Sequence, residues 1–413
     1  MKPSLPACLL LAALGAAPRA PAQPPADPVA ALVDQLDLER YKATIKGLTQ
    51  FGDRRQGTAR NRAALDWIEA QLKSYGCTNT ERLRYDFTEP ARRGPVQLQP
   101  RRAAGPAAQG GGTLFGRRAP TGVNTDPLAQ PDEKLRALNA EPTLVGTSPR
   151  ESLYCTKVGS TRPDEMYIVS AHMDGIGFGE AANDDGSGTA LVMELARIFS
   201  APGVTTERSI RFILWNNEET GLNGAYAYVA QRQGLQGQES PPGSGRYPEP
   251  TWLGMIQHDM LLFDHGMPVP KLDAAGKPML DARGQPVYTA PKEQRAEADV
   301  NVEFQVNAKF ADGAAKLAWH LRAANEKYAT DYPAAVGNRM TNTDSTPFMD
   351  LVPAVSVREN ERGMQIGAGW NPHWHQPTDL YSSYSDKDFL LGLNAAQTTL
   401  AAVAQLTGAR IRH

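Results

Sequence analysis

The spacing of apolar positions divides this chain into two kinds of segment. Residues 28–76 carry apolar side chains at helical spacing, clearest in Ala63-Ala64-Leu65-Asp66-Trp67-Ile68-Glu69-Ala70-Gln71-Leu72. That pattern predicts helix, and Gly76 ends it in the usual C-terminal way. From residue 153 the pattern changes. Short apolar runs at Met166–Ala171 and Ile210–Trp215 predict buried strands, and Met255–Met260 is strand-like again. Between and after them, Thr189–Ser200 reads as an amphipathic helix, Gly224–Gln231 starts another, and Asp386–Leu406 closes the chain with a third. Strand–helix alternation of this kind predicts an α/β fold with a mixed, largely parallel central sheet flanked by helices.

Three stretches interrupt the pattern. Residues 88–142 hold several prolines, the run Gly110-Gly111-Gly112 and the pairs Arg92-Arg93, Arg101-Arg102 and Arg117-Arg118; they read as a long surface loop or lid rather than a domain. Residues 232–250 and 264–299 are also rich in proline and glycine. The second contains Asp273-Ala274-Ala275-Gly276-Lys277-Pro278 followed eight residues on by Asp281-Ala282-Arg283-Gly284-Gln285-Pro286, which predicts a surface hairpin insertion. Residues 23–413 are thus expected to form a single domain with insertions.

Residues 1–22 read as a signal peptide: Lys2, the apolar run Ala7–Ala17, and the small-x-small site Ala20-Pro21-Ala22. Export to the periplasm or the medium is the expectation, and no other stretch approaches the roughly 18 apolar residues of a membrane span. Cleavage would leave two cysteines, Cys77 and Cys155. An even pair suits an oxidising compartment, and the sequence leaves open whether they form a disulfide or remain two buried thiols. A net charge of −2, with no dominant basic patch, argues against a nucleic-acid partner.

Four clusters concentrate His, Asp and Glu at the ends of predicted strands, where open α/β sheets place their sites. The first is His172-Met173-Asp174. A histidine there can ligate zinc through one ring nitrogen while a carboxylate two residues on holds the other; alone, such a pair is more often a surface feature. The second, Asn183-Asp184-Asp185-Gly186-Ser187-Gly188, combines a turn with a helix cap, and a metal-bridging carboxylate is the sharper reading. In the third, Asn216-Asn217-Glu218-Glu219-Thr220-Gly221, one glutamate can ligate while its neighbour shuttles a proton. The fourth joins Asp259 to His375 in Trp374-His375-Gln376-Pro377-Thr378-Asp379. His258 faces the opposite way from Asp259 in an extended strand. Gly175-Ile176-Gly177-Phe178-Gly179 lacks the full spacing of a dinucleotide loop and reads as a flexible loop between ligands.

Taken together, these motifs and the later Asp344-Ser345-Thr346-Pro347-Phe348 resemble, in order and spacing, the co-catalytic zinc aminopeptidase family, which includes bacterial leucyl aminopeptidases, aminopeptidase Y and glutamate carboxypeptidases. The resemblance covers roughly residues 50–85 and 150–405. It implies the zinc-exopeptidase, phosphorylase/hydrolase-like three-layer sandwich and two zinc ions per chain. Asp184 would bridge both ions, His172 and Asp259 would complete one site, and Glu219 and His375 the other. Glu218 would be the general base, and Asp174 would orient His172. A non-proline cis peptide between Asp184 and Asp185 is also implied.

The substrate implied is a peptide with a free N-terminus. Departures are Trp374 where relatives often carry Tyr, and Ser345 where they often carry His. Three other readings share this scaffold: glutaminyl cyclisation, which goes with a single zinc; carboxypeptidase action, which needs cations for a carboxylate; and a non-catalytic binding protein. Arg358 and Arg362 are the candidate cations, read here as surface residues.

Overall fold

A computed structural model describes residues 27–89, 123–264, 271–282, 284, 286–287, 300–359 and 371–412. The expected signal peptide, and Arg362, lie outside them. The helical pattern of 28–76 resolves into three helices, α1 (Pro28–Val33), α2 (Leu38–Thr49) and α3 (Ala59–Ser74), each started by a side-chain cap from Asp27, Asp37 or Thr58. Strand β1 (Glu81–Glu89) follows, then a short α4 (Glu133–Asn139) and β2 (Gly146–Lys157). The alternating region supplies β3 (Arg162–His172), α5 (Gly186–Ser200), β4 (Val204–Thr205), β5 (Arg208–Trp215), α6 (Asn223–Arg232) and β6 (Thr251–His258). The chain closes with β7 (Val300–Glu303), α7 (Ala311–Tyr328), β8 (Ala334–Gly337), β9 (Ala354–Arg358), α8 (Asp386–Thr407) and β10 (Arg410–Ile411).

Eight strands form one sheet in the order β1-β2-β5-β3-β6-β9-β7-β8. The four central strands β5, β3, β6 and β9 run parallel, whereas β1, β2 and β5 pair antiparallel in turn, as do β9 and β7. The expected mixed, largely parallel sheet is therefore observed. Its apolar residues are sorted by the two-residue period of a strand. Phe212, Leu214, Val169, Ile256 and Val357 join one core with residues of α1, α2, α5, α7 and α8. Ile213, Trp215, Ile168 and Met255 join a second core with Ala225 and Tyr228 of α6.

Three local expectations are corrected. The 88–142 segment is more than surface loop at its described ends: β1 runs through Glu89, α4 forms, and Gln130 and Asn139 are buried. Gln130 Nε2 donates to the carbonyls of Phe178 and Pro377, and Asn139 Nδ2 donates to Gly179, so this segment braces loops of the candidate site. The Gly175–Gly179 loop is packed, not free. Gly177 has φ +95°, and a Cβ there would overlap the main chain of His375. Finally, α8 is long and apolar enough to cross a membrane by length and composition, yet 78% of that stretch is buried inside the protein. Its apolar residues fill the core between α1, α5 and α7, which is why one-sided amphipathicity fails to describe it.

Cys77 and Cys155 form a disulfide with a Cα–Cα separation of 6.0 Å, joining the end of the α3 region to β2 across 78 residues of chain. Closing a span of that length restricts the unfolded chain, and removing such a bond typically costs about 2–5 kcal/mol. Reduction is thus expected to move the urea unfolding midpoint down by that equivalent. Coincident unfolding curves for the oxidised and reduced protein would refute a stabilising role.

Candidate active site

The parallel order β5-β3-β6-β9 sets four strand ends side by side at the carboxyl edge of the sheet. His172 is the last residue of β3 and pairs in register with Trp215, the last of β5. Glu218 and Glu219 follow β5, Asp259 follows β6, and Arg358 ends β9. Asp184 arrives from the turn before α5, and His375 from the loop before α8. All five predicted ligands, together with Glu218, line one cavity of about 210 Å³ whose wall also includes Gly221, Leu222, Asn342, Arg358 and Trp374.

Asp184 occupies the middle. Its Oδ1 lies 3.3 Å from His172 Nε2, and its Oδ2 lies 3.0 Å from His375 Nε2. His172 Nε2 is 3.9 Å from Asp259 Oδ1, while His375 Nε2 is 2.8 Å from Glu219 Oε2. The carboxylate thus divides two half-sites, His172 with Asp259 and His375 with Glu219. The Asp184–Asp185 peptide is cis, as the resemblance implies.

The surroundings fix each group. Asp185 is not aimed at this cluster: its Oδ1 accepts the N–H groups of Gly188 and Met260, and its Oδ2 that of His172. It caps α5 and ties β3, α5 and β6 together. Asp379 accepts the N–H of Asn183 at 2.9 Å and of Asp184 at 3.1 Å, which seats the bridging turn; burial pushes its carboxyl up to about 6. Arg54, fully buried, donates to the carbonyls of Met173, Glu180 and Ala181 and so clamps the loop after His172. Five residues at or beside the cavity, Asn217, Leu222, Met260, Asn342 and His375, have φ between +55° and +69°, a strained conformation for side chains of this kind that concentrates at functional sites.

One expected contact is corrected. His172 Nδ1 lies 3.0 Å from the main-chain carbonyl of Asp174, and the Asp174 carboxylate stands at 3.9 Å. That carboxylate accepts the Glu218 N–H at 3.1 Å instead, because β3 and β5 are neighbours and their following loops meet. Asp174 therefore positions both groups, one through its backbone and one through its side chain. His258 lies on the other face of β6. Its Nδ1–H donates to Ser170 and its Nε2 accepts from Thr399, and burial lowers its pKa to about 4, so it stays neutral. His373 bonds Thr378 rather than the cluster, and the Trp374 indole stacks on the His375 ring at 4.0 Å.

Electrostatics separates the two adjacent glutamates. Burial raises Glu218 well above the carboxylate range; His172 opposes this, and Asp344, Glu219 and Asp259 add to it. Burial pushes Glu219 to about 7, against the pull of His375. Asp259 goes the other way despite its burial, held down to about 2 by Arg358 beside it. Arg358 is a second correction. It is 2% exposed, not a surface residue, and its Nη2 lies 3.1 Å from Asp259 Oδ1. The β6–β9 pairing, invisible to local sequence, brings the two strand ends together.

The donor set fits two zinc ions. Two imidazoles and three carboxylates are the nitrogen and oxygen ligands zinc takes, and bonds of 2.0–2.2 Å in tetrahedral array set neighbouring donors roughly 3.4 Å apart. The closest donor pairs here span 2.8–3.9 Å. Glu219 Oε1 is buried with no partner among the described residues, a cost that a cation removes.

Comparison with known proteins finds relatives of one segment and of the fold. Residues 154–241 match the peptidase family M28, a span that includes His172, Asp184, Glu218 and Glu219. Aminopeptidase YwaD of Bacillus subtilis is 45% identical over 67 residues, 16% of this chain and 14% of that protein. Carboxypeptidase Q of Xenopus laevis is 38% identical over 71 residues, 17% of this chain and 15% of that protein. The aligned stretches thus span about one seventh of these curated relatives. In three dimensions, BSAP, a zinc aminopeptidase from Bacillus subtilis, superposes with a TM-score of 0.57 at 17% identity, over 90% of this chain and 96% of that one, which establishes the shared fold. The likeness to peptidase family M28 thus lies in residues 154–241, and the fold as a whole is the one that this zinc aminopeptidase shares.

Proposed function

We propose that this protein is an exported exopeptidase that uses two zinc ions to remove residues from the N-termini of peptides. The observation that carries the reading is the position of Asp184, whose two oxygens address two separate His–carboxylate pairs. His172 and Asp259 would hold one ion, Glu219 and His375 the other, with Asp184 shared. Zinc held by these residues would supply Lewis-acid polarisation of the scissile carbonyl and a lowered pKa for the attacking water.

The chain's own residues do the rest. Glu218 takes the proton of the attacking water and hands it to the leaving amine. Asp174 keeps Glu218 in place through its backbone N–H, and the stack of Trp374 on His375 fixes the plane of that ring. The Cys77–Cys155 disulfide suits an oxidising compartment and so supports export.

The test is a panel of aminoacyl-p-nitroanilides and N-blocked peptides, run before chelation, after it, and after zinc is restored. Zinc-dependent release from free but not blocked N-termini is the expected result. Release that survives complete removal of the metal would refute the reading, and release from blocked peptides only would move the activity to the C-terminus.

A further inference from the structure

Glu359 follows the last residue of β9 and is buried. Its carboxylate meets the three loops that carry Asp184, Asp259 and His375. Oε2 accepts the Phe263 N–H at 2.7 Å and Asn183 Nδ2 at 2.9 Å, and Oε1 accepts Asn371 Nδ2 at 3.1 Å. Asn183 precedes the bridging Asp184, Phe263 lies in the loop after Asp259, and Asn371 opens the described segment that runs to His375. All three partners are donors, and the orientation of both amides is fixed elsewhere. Asn183 Oδ1 accepts the N–H groups of Leu261 and Leu262, and Asn371 Oδ1 accepts that of His373. Both Nδ2 groups therefore face Glu359, and a carboxylate, which only accepts, is the side chain that satisfies them together.

The loops differ in what else holds them. Asp185 and Asn183 tie the Asp184 turn to the loop after β6 without Glu359. His375 stands between two anchors. Asp379 bonds the main chain of Asn183 and Asp184, and Asn371 bonds Glu359. The φ of +55° at His375 persists only where its surroundings impose it. We propose that Glu359 is a positioning residue that sets the His375 half-site against the His172 half-site, acting through Asn371. The ion at His375 and Glu219 then depends on Glu359, and the ion at His172 and Asp259 does not. This inference rests on the two-zinc reading and deepens it.

The experiment titrates metal-free protein with zinc against a chromogenic chelator. Burial pushes the Glu359 carboxyl up to about 8, so the titration runs at about pH 9, where that group is ionised. Glu359→Gln is expected to weaken one of the two ions by about 10- to 100-fold, the range for groups that orient a metal ligand, and to leave the other unchanged. Added to His375→Ala, which keeps the His172 half-site alone, Glu359→Gln should have no effect on the remaining ion. The single variant turns one NH₂ group toward another at Asn371. Combining it with Asn371→Asp exchanges donor and acceptor across that bond and keeps the other two, so the swap should restore the lost affinity. Equal weakening of both ions, weakening of neither, or a swap that leaves the loss in place would overturn the proposal. If circular dichroism shows Glu359→Gln unfolded, Asn371→Ala, which removes the one bond between the two residues, is read in the same way. A folded Asn371→Ala with two wild-type affinities would overturn it too.

Should the wild type bind no zinc, the two-zinc reading fails by itself, and hydrogen exchange of the metal-free protein still tests the positioning. Peptides covering 371–379 are expected to exchange faster in Asn371→Ala than in the wild type, and at the wild-type rate in the swap. Unchanged exchange in Asn371→Ala would refute a positioning role.

Discussion

Replacing Glu218 with glutamine is expected to lower kcat by about 10²- to 10⁴-fold, the usual contribution of a positioned general base, while zinc content is unchanged. Glutamine keeps the shape of the side chain, and the backbone N–H that Asp174 accepts is unaffected. What the amide lacks is a basic oxygen able to take a proton and return it. The measurement pairs elemental analysis of the purified variant with steady-state kinetics. It has a competitor to exclude, because Glu218 can also bring an oxygen within 4.8 Å of donor atoms of both His172 and Asp259. If the variant binds one zinc fewer per chain, Glu218 is a ligand and the base lies elsewhere.

Asp184→Ala should abolish turnover more completely and through a different cause. Each oxygen of this carboxylate addresses one half-site, so a single substitution weakens both. Zinc content is expected to fall below one ion per chain, whereas His375→Ala, which touches one half-site, should leave about one ion bound. Two-metal sites supply several kcal/mol of transition-state stabilisation, and each 1.36 kcal/mol is tenfold in rate, so a loss of about 10³-fold or more is expected. The fold should survive. The bond from Asp184 N–H to Asp379 is made by the backbone, so alanine keeps the turn seated. Circular dichroism checks that point. Two tightly held zinc ions in Asp184→Ala would rule out the bridging role.

Much of the site was readable because its members sit at strand ends inside short motifs. His172 follows a run of apolar residues, and Glu218 and Glu219 follow another, so the period-two pattern that reveals each strand also locates its carboxyl end. The turn Asp184–Gly188 announced itself by composition, with Asp185 capping the helix it precedes. The large insertions resisted such a reading. They lack periodicity, and the packing of Gln130 and Asn139 against the site loops depends on carbonyls at 178, 179 and 377 that no local pattern relates to them.

Asp379 and Arg54 were missed as supports for a similar reason. Asp379 stands beside a ligand motif, and only its bonds to the main chain of Asn183 and Asp184 reveal what it does. A fully buried arginine contradicts the ordinary preference of its side chain, and only the three loop carbonyls it satisfies explain it.

The sequence by itself determined strands β3, β5 and β6, the helices of 28–76 with α5, α6 and α8, and the types and order of the candidate ligands along the chain. Those follow from spacing and from side-chain chemistry, which are local. Tertiary structure alone decided which strand ends stand together. The order β5-β3-β6-β9 comes from pairing between segments far apart in the chain. It sets Arg358 against Asp259 and the Glu218 N–H on Asp174. It also turned two cysteines 78 residues apart into one bond. Side-chain burial, and with it the separation of the Glu218 and Asp259 acidities, exists only once those strands have closed over a common cavity.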